Sequence, residues 1–413
     1  MANHSDFVVK DIERMRLNVP FNERCADRMT IRGNGWSVVD MYKVTLANGA
    51  IGIGETIVGY TWRPSEDKRV EICKGENVFD LLWDDSLGAG LQMAFFDAVG
   101  NAAGVPCHRL MGTQFRDACP VSWWSQDAPP DEWVAEARAA EENGFTTMKV
   151  KARPWRDLDE QLASVSDAVS PHFRLDADFN SMLLGPDVAV PIIRRLEEKY
   201  PLLAIVESPI PQSDVAGNVI LRQKIRSPIA MHFGNPDPMT AIREGVCDGF
   251  VIGGGASEVL RQGKLAEHAS MPFWLQMVGT GLTTMFAVHF GAVLEQARWP
   301  AIPCVNIYSH TLLREFTVEG GHIAVPVTNG LGVEIDWGMV DRLRVDPDFE
   351  KPAPRQIHTI HWPDGRDTHY SDGSYRDDFL DFKLPAFLPG IALEMRIDDG
   401  TEAFDKEYSE LFV

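Results

Sequence analysis

The stretch GFTTMKVKARPW, residues 144–155, sets Lys149 and Lys151 two positions apart in a run that reads as a β-strand. Side chains alternate across a strand, so both ammonium groups share one face. If that face looks outward, the pair is a solvated edge with no chemistry. If it looks into a barrel, two cations are buried, and buried charges need partners or a chemical task.

The surrounding chain points to the second case. Short apolar runs alternate with helical stretches: ACPVSWW (118–124), TTMKVKA (146–152), FRLDADFN (173–180), LLAIVESPI (202–210), SPIAMHF (227–233), DGFVIGG (248–254), PFWLQMV (272–278) and PCVNIYSH (303–310). Helical patterns such as DEWVAEARAAEENG and VAVPIIRRLEEKY separate them. Eight strand-helix units predict a (β/α) barrel, with a doubly wound sheet as the rival. Upstream, FVVKDIERMRL and SVVDMYKVTLANGAIGIGET alternate like antiparallel strands, and SLGAGLQMAFFDAVGNAAG turns small and helical. The expected organisation is an α+β capping region over 1–117, the barrel over 118–318, and a return to the cap with a C-terminal extension over 319–413.

The bulk composition narrows the function class. The chain has 413 residues and a net charge of −21, which argues against nucleic acid or an anionic membrane as partner. No apolar run is long enough to span a membrane, and the N-terminal MANHSDFVVKDIERMRLNVP lacks an export signal, so the cytoplasm is the expected compartment. The six cysteines are scattered without CxxC spacing and read as free thiols.

Barrel enzymes gather their chemistry at the C-terminal ends of the strands. In this chain those ends carry Lys149 and Lys151, then Asp176 and Asp178, Glu207, His232, Gln276, and finally Asn306 and Tyr308. Carboxylates on neighbouring strands do not stay ionised together without a cation, and two or three hard oxygen ligands suit Mg²⁺. Salt bridges to the lysines or to an arginine are the alternative.

MKVKA, the Asp-x-Asn of ADFNSM and the Glu-x-Pro of VESPI, in this order, resemble the enolase superfamily in its mandelate racemase and muconate lactonizing branch. GVPCHRLMG (104–112) and EGGHIAVPVTNGLGVEID (319–336) resemble the segments joining the branch's capping domain to its barrel. The resemblance implies a modified (β/α)8-type TIM barrel with an α+β capping domain. It also implies Lys151 as the base that takes a proton α to a carboxylate, with Lys149 depressing its pKa, and Mg²⁺ stabilising the enediolate. The implied metal ligands are Asp178, Glu207 and His232. Asp176 competes with Asp178 for the first place, and His232 stands where the family has a carboxylate, so it binds either metal or substrate. Asn235 is a weaker candidate for that place.

The branch's second acid-base group is missing: FVIGGGAS and PFWLQMVG offer glycines and Gln276 where racemases carry an Asp–His dyad and lactonizing enzymes a lysine. One-base chemistry follows, and the expected activity is a hydro-lyase: syn-dehydration of a sugar acid or related hydroxycarboxylate to a 2-keto acid, with Tyr308 as acid or orienting group. A one-base isomerase or cycloisomerase, and an inactive carboxylate-binding relic, are the alternatives. Arg24, Arg28 and Arg32, with Tyr60, Trp62, Trp123 and Trp124, are the candidates for a substrate wall, joined by Gln276 and Asn306 from the barrel. The expected partner is a small carboxylate, and the resemblance implies a homo-oligomer.

Overall fold

The computed structural model describes residues 4–60 and 67–412, so Trp62 lies outside the described residues. The N-terminal region forms an antiparallel meander of β1 (Val9–Asn18), β2 (Val38–Leu46) and β3 (Ile51–Ile57). β3 lies against the helix Ala89–Ala103. The approach is close enough to require glycine: a Cβ at Gly54 would stand 2.0 Å from the Gly90 carbonyl oxygen.

After β4 (Ala118–Pro120) comes a parallel sheet. Its strands are β5 (Trp123–Ser125), β6 (Thr147–Lys151), β7 (Arg174–Asp178), β8 (Leu203–Glu207), β9 (Ile229–His232), β10 (Gly249–Ile252) and β11 (Phe273–Leu275). Each strand neighbours the next in chain order, with no reversal point of the kind a doubly wound sheet requires. Helices such as Leu158–Ala168 and Ala256–His268 join them.

The eighth strand expected at 303–310 is not a strand. Val305–Ile307 is a 3₁₀ turn, and the gap between β11 and β5 is closed by the segment just before it. Ile302 N–H donates to Leu275 O at 2.8 Å, while Ala301 exchanges backbone bonds of 2.9 Å with Pro120 and Ser122. Pro300 and Pro303 flank this segment and have no N–H to give a ladder, which explains why pairing stops after so few bonds.

β12 (His322–Ala324) then pairs with β4, and Val345 N–H donates to Arg16 O of β1 at 2.9 Å, tying the returning chain to the cap. Beyond it, β13 (Gln356–His361), β14 (Asp367–Tyr370) and β15 (Ala392–Ile397) form a separate antiparallel sheet in the order β14-β13-β15. This C-terminal module has its own apolar core of Ile360, Trp362, Tyr375, Phe379, Ile391 and Leu393, closed on one side by the barrel's Trp155 and Met182. All six cysteines are free. Among the described residues no helix is long and apolar enough to cross a membrane.

Candidate active site

The parallel ladder decides which charges meet. Lys149 pairs in register with Asp176, Lys151 with Asp178, and Asp178 with Glu207. Alternation turns all five side chains to one face in two layers, Lys149 and Asp176 below, Lys151, Asp178 and Glu207 at the mouth.

Lys149 is fully buried. Its Nζ contacts Glu207 Oε2, stands 3.6 Å from Asp178 Oδ2 and donates to Gln276 Oε1 at 2.8 Å. Burial opposes its charge, but Glu207 and Asp178 outweigh burial and hold its pKa above the usual lysine range. Lys151 differs. Its side chain keeps 18% exposure, with Nζ 2.5 Å from Asp178 Oδ2. Burial is the main force pulling its pKa down; Asp178 resists, and Lys149 and Arg153 add to the fall. The two lysines that look alike in sequence thus have opposite titration behaviour.

Asp178 is ionised well below the usual carboxylate range, because Lys151, Lys149 and Arg153 overcome its burial. Burial pushes Asp176 up to about 7, with Lys149 opposing and Glu207 reinforcing. Asp176 sits in the deeper layer, and among the described residues no lysine forms an ion pair with it, because Lys149 turns instead to Asp178 and Glu207. Asn180 follows Asp178 with a left-handed φ of 45°, and Ser208 follows Glu207 with 46°. Both bends turn the chain away just past each carboxylate.

Both Glu207 oxygens are buried without an aligned hydrogen bond. Two adjacent buried carboxylates at the mouth, Asp178 and Glu207, are hard oxygen donors of the kind that fit a divalent cation. A third ligand does not converge: among the described residues no group of three His, Cys, Asp or Glu side chains is arranged to hold a metal ion. His232 is half-exposed and rests its Nε2 3.1 Å from Glu207 Oε1.

A cavity of about 330 Å³ opens over the lysines. Trp36, Tyr60 and Trp124 form an aromatic side, with Trp36 and Trp124 stacked at 5.7 Å. Gln276 and Arg32 lie in its wall as expected. Arg24, Trp123, Asn306 and Tyr308 do not; they line a second cavity of about 190 Å³. Alternation along β5 explains Trp123, which turns away from the lysines while Trp124 turns toward them. Trp123 Nε1 donates to Glu136 at 2.6 Å, and Arg24 lies over its ring while also pairing with Glu136. Asn306 braces the open edge of β5, its amide exchanging bonds of 3.1 and 2.9 Å with the Trp124 backbone where an eighth strand would pair. Tyr308 Oη donates to Trp36 O at 2.9 Å. The 3₁₀ turn is the common cause, since it takes both residues out of strand alternation.

Several contributors escaped the sequence reading, Trp36 among them. Arg153 donates to the Asp178 carbonyl at 3.0 Å and to the Asn180 side chain. Burial holds its guanidinium below its usual range, and the charges of Arg32 and Arg376 add to that. Asp127, buried at the cavity wall, binds Arg32 at 3.3 Å and accepts from Trp155 Nε1 at 2.8 Å. Cys304 lines the cavity, its thiol pushed up to about 12 by burial. Arg376 enters from the C-terminal module. The run KARPW carried a signal for Arg153, which continues past Lys151; nothing local flagged Arg376.

A family model described as Enolase C-terminal domain-like matches residues 132–339, half of the chain. The chain belongs to the enolase superfamily, in its mandelate racemase and muconate lactonizing branch. Among curated relatives, an N-succinylamino acid racemase of Thermus thermophilus is 28% identical over 62% of this chain and 70% of its own. A D-galactonate dehydratase of Ralstonia nicotianae is 27% identical, covering 65% and 76%. The crystal structure of a muconate cycloisomerase from Pseudomonas fluorescens superposes with a TM-score of 0.66 at 20% identity, covering 82% of this chain and 99% of that one. Racemase and dehydratase thus stand equally near this superfamily member.

Proposed function

We propose that this enolase-superfamily chain is a dehydratase of a hydroxycarboxylate, with Lys151 as its single base. One observation carries the reading. Among the described residues lining the cavity, Lys151 is the one lysine whose charge is weakened, and the chain just past β10 and β11 offers no second base: Gly253 and Gly254 follow β10, and Gln276, which lines the cavity, follows β11. A racemase needs a proton carrier on each side of the carbon; a syn elimination needs one.

Lys151 Nζ would take the α-proton of a bound carboxylate and return it to the departing β-hydroxyl, releasing water; the enol left behind tautomerises to the 2-keto acid. Lys149, fixed in its charged form, would hold positive charge beneath the developing enediolate. Asp178 and Glu207 are the residues that would hold Mg²⁺, which as a Lewis acid would stabilise negative charge on the substrate carboxylate. Trp36, Tyr60 and Trp124 would screen the carbon from bulk water. A one-base isomerase is the second reading, favoured by the racemase among the relatives. Incubating the protein with sugar acids and Mg²⁺ separates them. A carbonyl-reactive product with loss of water supports dehydration, and an isomeric product of unchanged mass overturns it. Binding without turnover would mark an inactive relic.

A further inference from the structure

The cavity over Lys151 is more cationic than a single substrate carboxylate explains. Arg32, Lys149, Lys151, Arg153 and Arg376 all line it, against one lining carboxylate, Asp127. In a chain whose net charge is −21, so many cations facing one small space mark a built anion site.

The pairing of these cations shows which one is left for a ligand. Lys149 and Lys151 are engaged by Asp178 and Glu207 in the floor. Arg153 is spent on the backbone carbonyls of Ala152 and Asp178 and on Asn180. Arg32 is held between Asp127 and the hydroxyl of Tyr375. Of these five lining cations, Arg376 alone has, among the described residues, no carboxylate paired with its guanidinium and no side-chain hydrogen bond, and it stands exposed at the cavity's rim.

Its position is fixed by its neighbour rather than by its own contacts. Tyr375 is fully buried, meets Trp155 edge-on at 4.8 Å and accepts from Arg32. The module carrying both residues is sewn to the barrel by Arg156 Nη1 to Leu393 O at 2.6 Å, Gly390 N to Asp157 Oδ2 at 2.7 Å and Phe387 N to Pro154 O at 2.9 Å. Arg376 is therefore delivered to the cavity by a rigid partner, and it lies beyond the stretch matched by the family model, which ends at 339.

We propose that Arg376 is a specificity-determining residue that binds a second anionic group, so that the substrate of this site is a dianionic hydroxy acid with its distal end against the C-terminal module. The inference rests on the reading of the cavity as a carboxylate site, but not on turnover. A guanidinium suits a carboxylate or a phosphate equally as a bidentate partner.

Gluconate, glucarate and 6-phosphogluconate differ only at C6, which is a hydroxyl, a carboxylate or a phosphate, and they form the test. Their binding is measured by calorimetry with Mg²⁺ on the full chain, wild type beside Arg376→Gln and Arg376→Lys. The wild type is expected to prefer one of the two acids that carry an anionic group at C6 over gluconate by about tenfold or more, the scale of a charge-assisted hydrogen bond. Which acid it is names the distal group. In Arg376→Gln the preference collapses toward one, and Arg376→Lys keeps part of it. An equal affinity for all three acids overturns the inference, as does a preference that survives in Arg376→Gln. Selective binding with no conversion of any acid would leave the inference standing and sink the dehydratase reading instead.

Discussion

Lys151 and Asp178 meet across β6 and β7 in exact register, Nζ to Oδ2 at 2.5 Å, at the open end of the sheet. The contact keeps the ammonium aimed, while burial and the charges of Lys149 and Arg153 keep it from holding its proton as firmly as an ordinary lysine.

That balance predicts the outcome of removing the base. In D₂O, an accepted hydroxy acid should exchange its α-proton in the wild type, read by NMR. Lys151→Ala should slow the exchange by about 10²–10⁴-fold, the usual contribution of a general base. Lys151→Arg should not restore it, because a guanidinium keeps its proton at any working pH. Exchange at the wild-type rate in either variant would remove Lys151 from the role.

Asp127 gives a pH prediction with a definite sign. Burial alone would raise its pKa, but Arg32, Arg156 and Arg153 override burial and depress it from 3.8 to about 2. A depressed carboxylate stabilises the fold above its unfolded pKa and loses that contribution as pH falls through its folded one. The shift corresponds to about 2 kcal/mol. The stability gap between wild type and Asp127→Asn, from urea unfolding, should therefore shrink by about that amount between roughly pH 5 and pH 2. A gap that stays constant across this window would show that Asp127 does not titrate this way.

The barrel and its floor were legible because alternation and register are local. A period of two in MKVKA and LDAD, with Glu207 closing the next strand, was enough to place five charges together. The eighth strand was not legible: PCVNIYSH has the composition of a strand, and only the prolines at 300 and 303 hint that the ladder fails. The reading of Asn306 as a substrate contact and of Tyr308 as an acid or orienting group rested on that alternation; Trp123 turns to the outer side of β5, and Arg24 follows it there through its stacking on the Trp123 ring and its pairing with Glu136. Arg376 was out of reach altogether, since its approach depends on contacts between residues more than two hundred positions apart, such as Arg156 with Leu393.

Those contacts are joined by Trp155, which anchors the C-terminal module to the barrel. Its ring fills the second core against Tyr375 and Phe379 while its Nε1 donates to Asp127. Trp155→Ala should cost about 3–5 kcal/mol, the range for emptying a large aromatic site. Limited proteolysis should then cut between the barrel and β13 while the barrel stays protected. A variant that unfolds in a single step with the wild-type cleavage pattern would show that module and barrel are one cooperative unit.

The floor makes the last prediction. Lys149 is the counter-charge that lets Asp178 and Glu207 lie side by side, and removing one member of a buried ion pair costs about 3–5 kcal/mol because the partner charge stays behind. Lys149→Met should lose stability on that scale in EDTA. A cation that binds the folded chain adds stability as its concentration rises, so added Mg²⁺ should raise the melting temperature of the wild type. It should raise that of Lys149→Met by more, since two unbalanced carboxylates attract it. Glu207→Gln should show no magnesium response, having lost one of the two donors. A wild type whose melting temperature ignores Mg²⁺ would mean that Lys149 is itself the permanent cation of this site, and that the carboxylate pair serves the lysines rather than a metal.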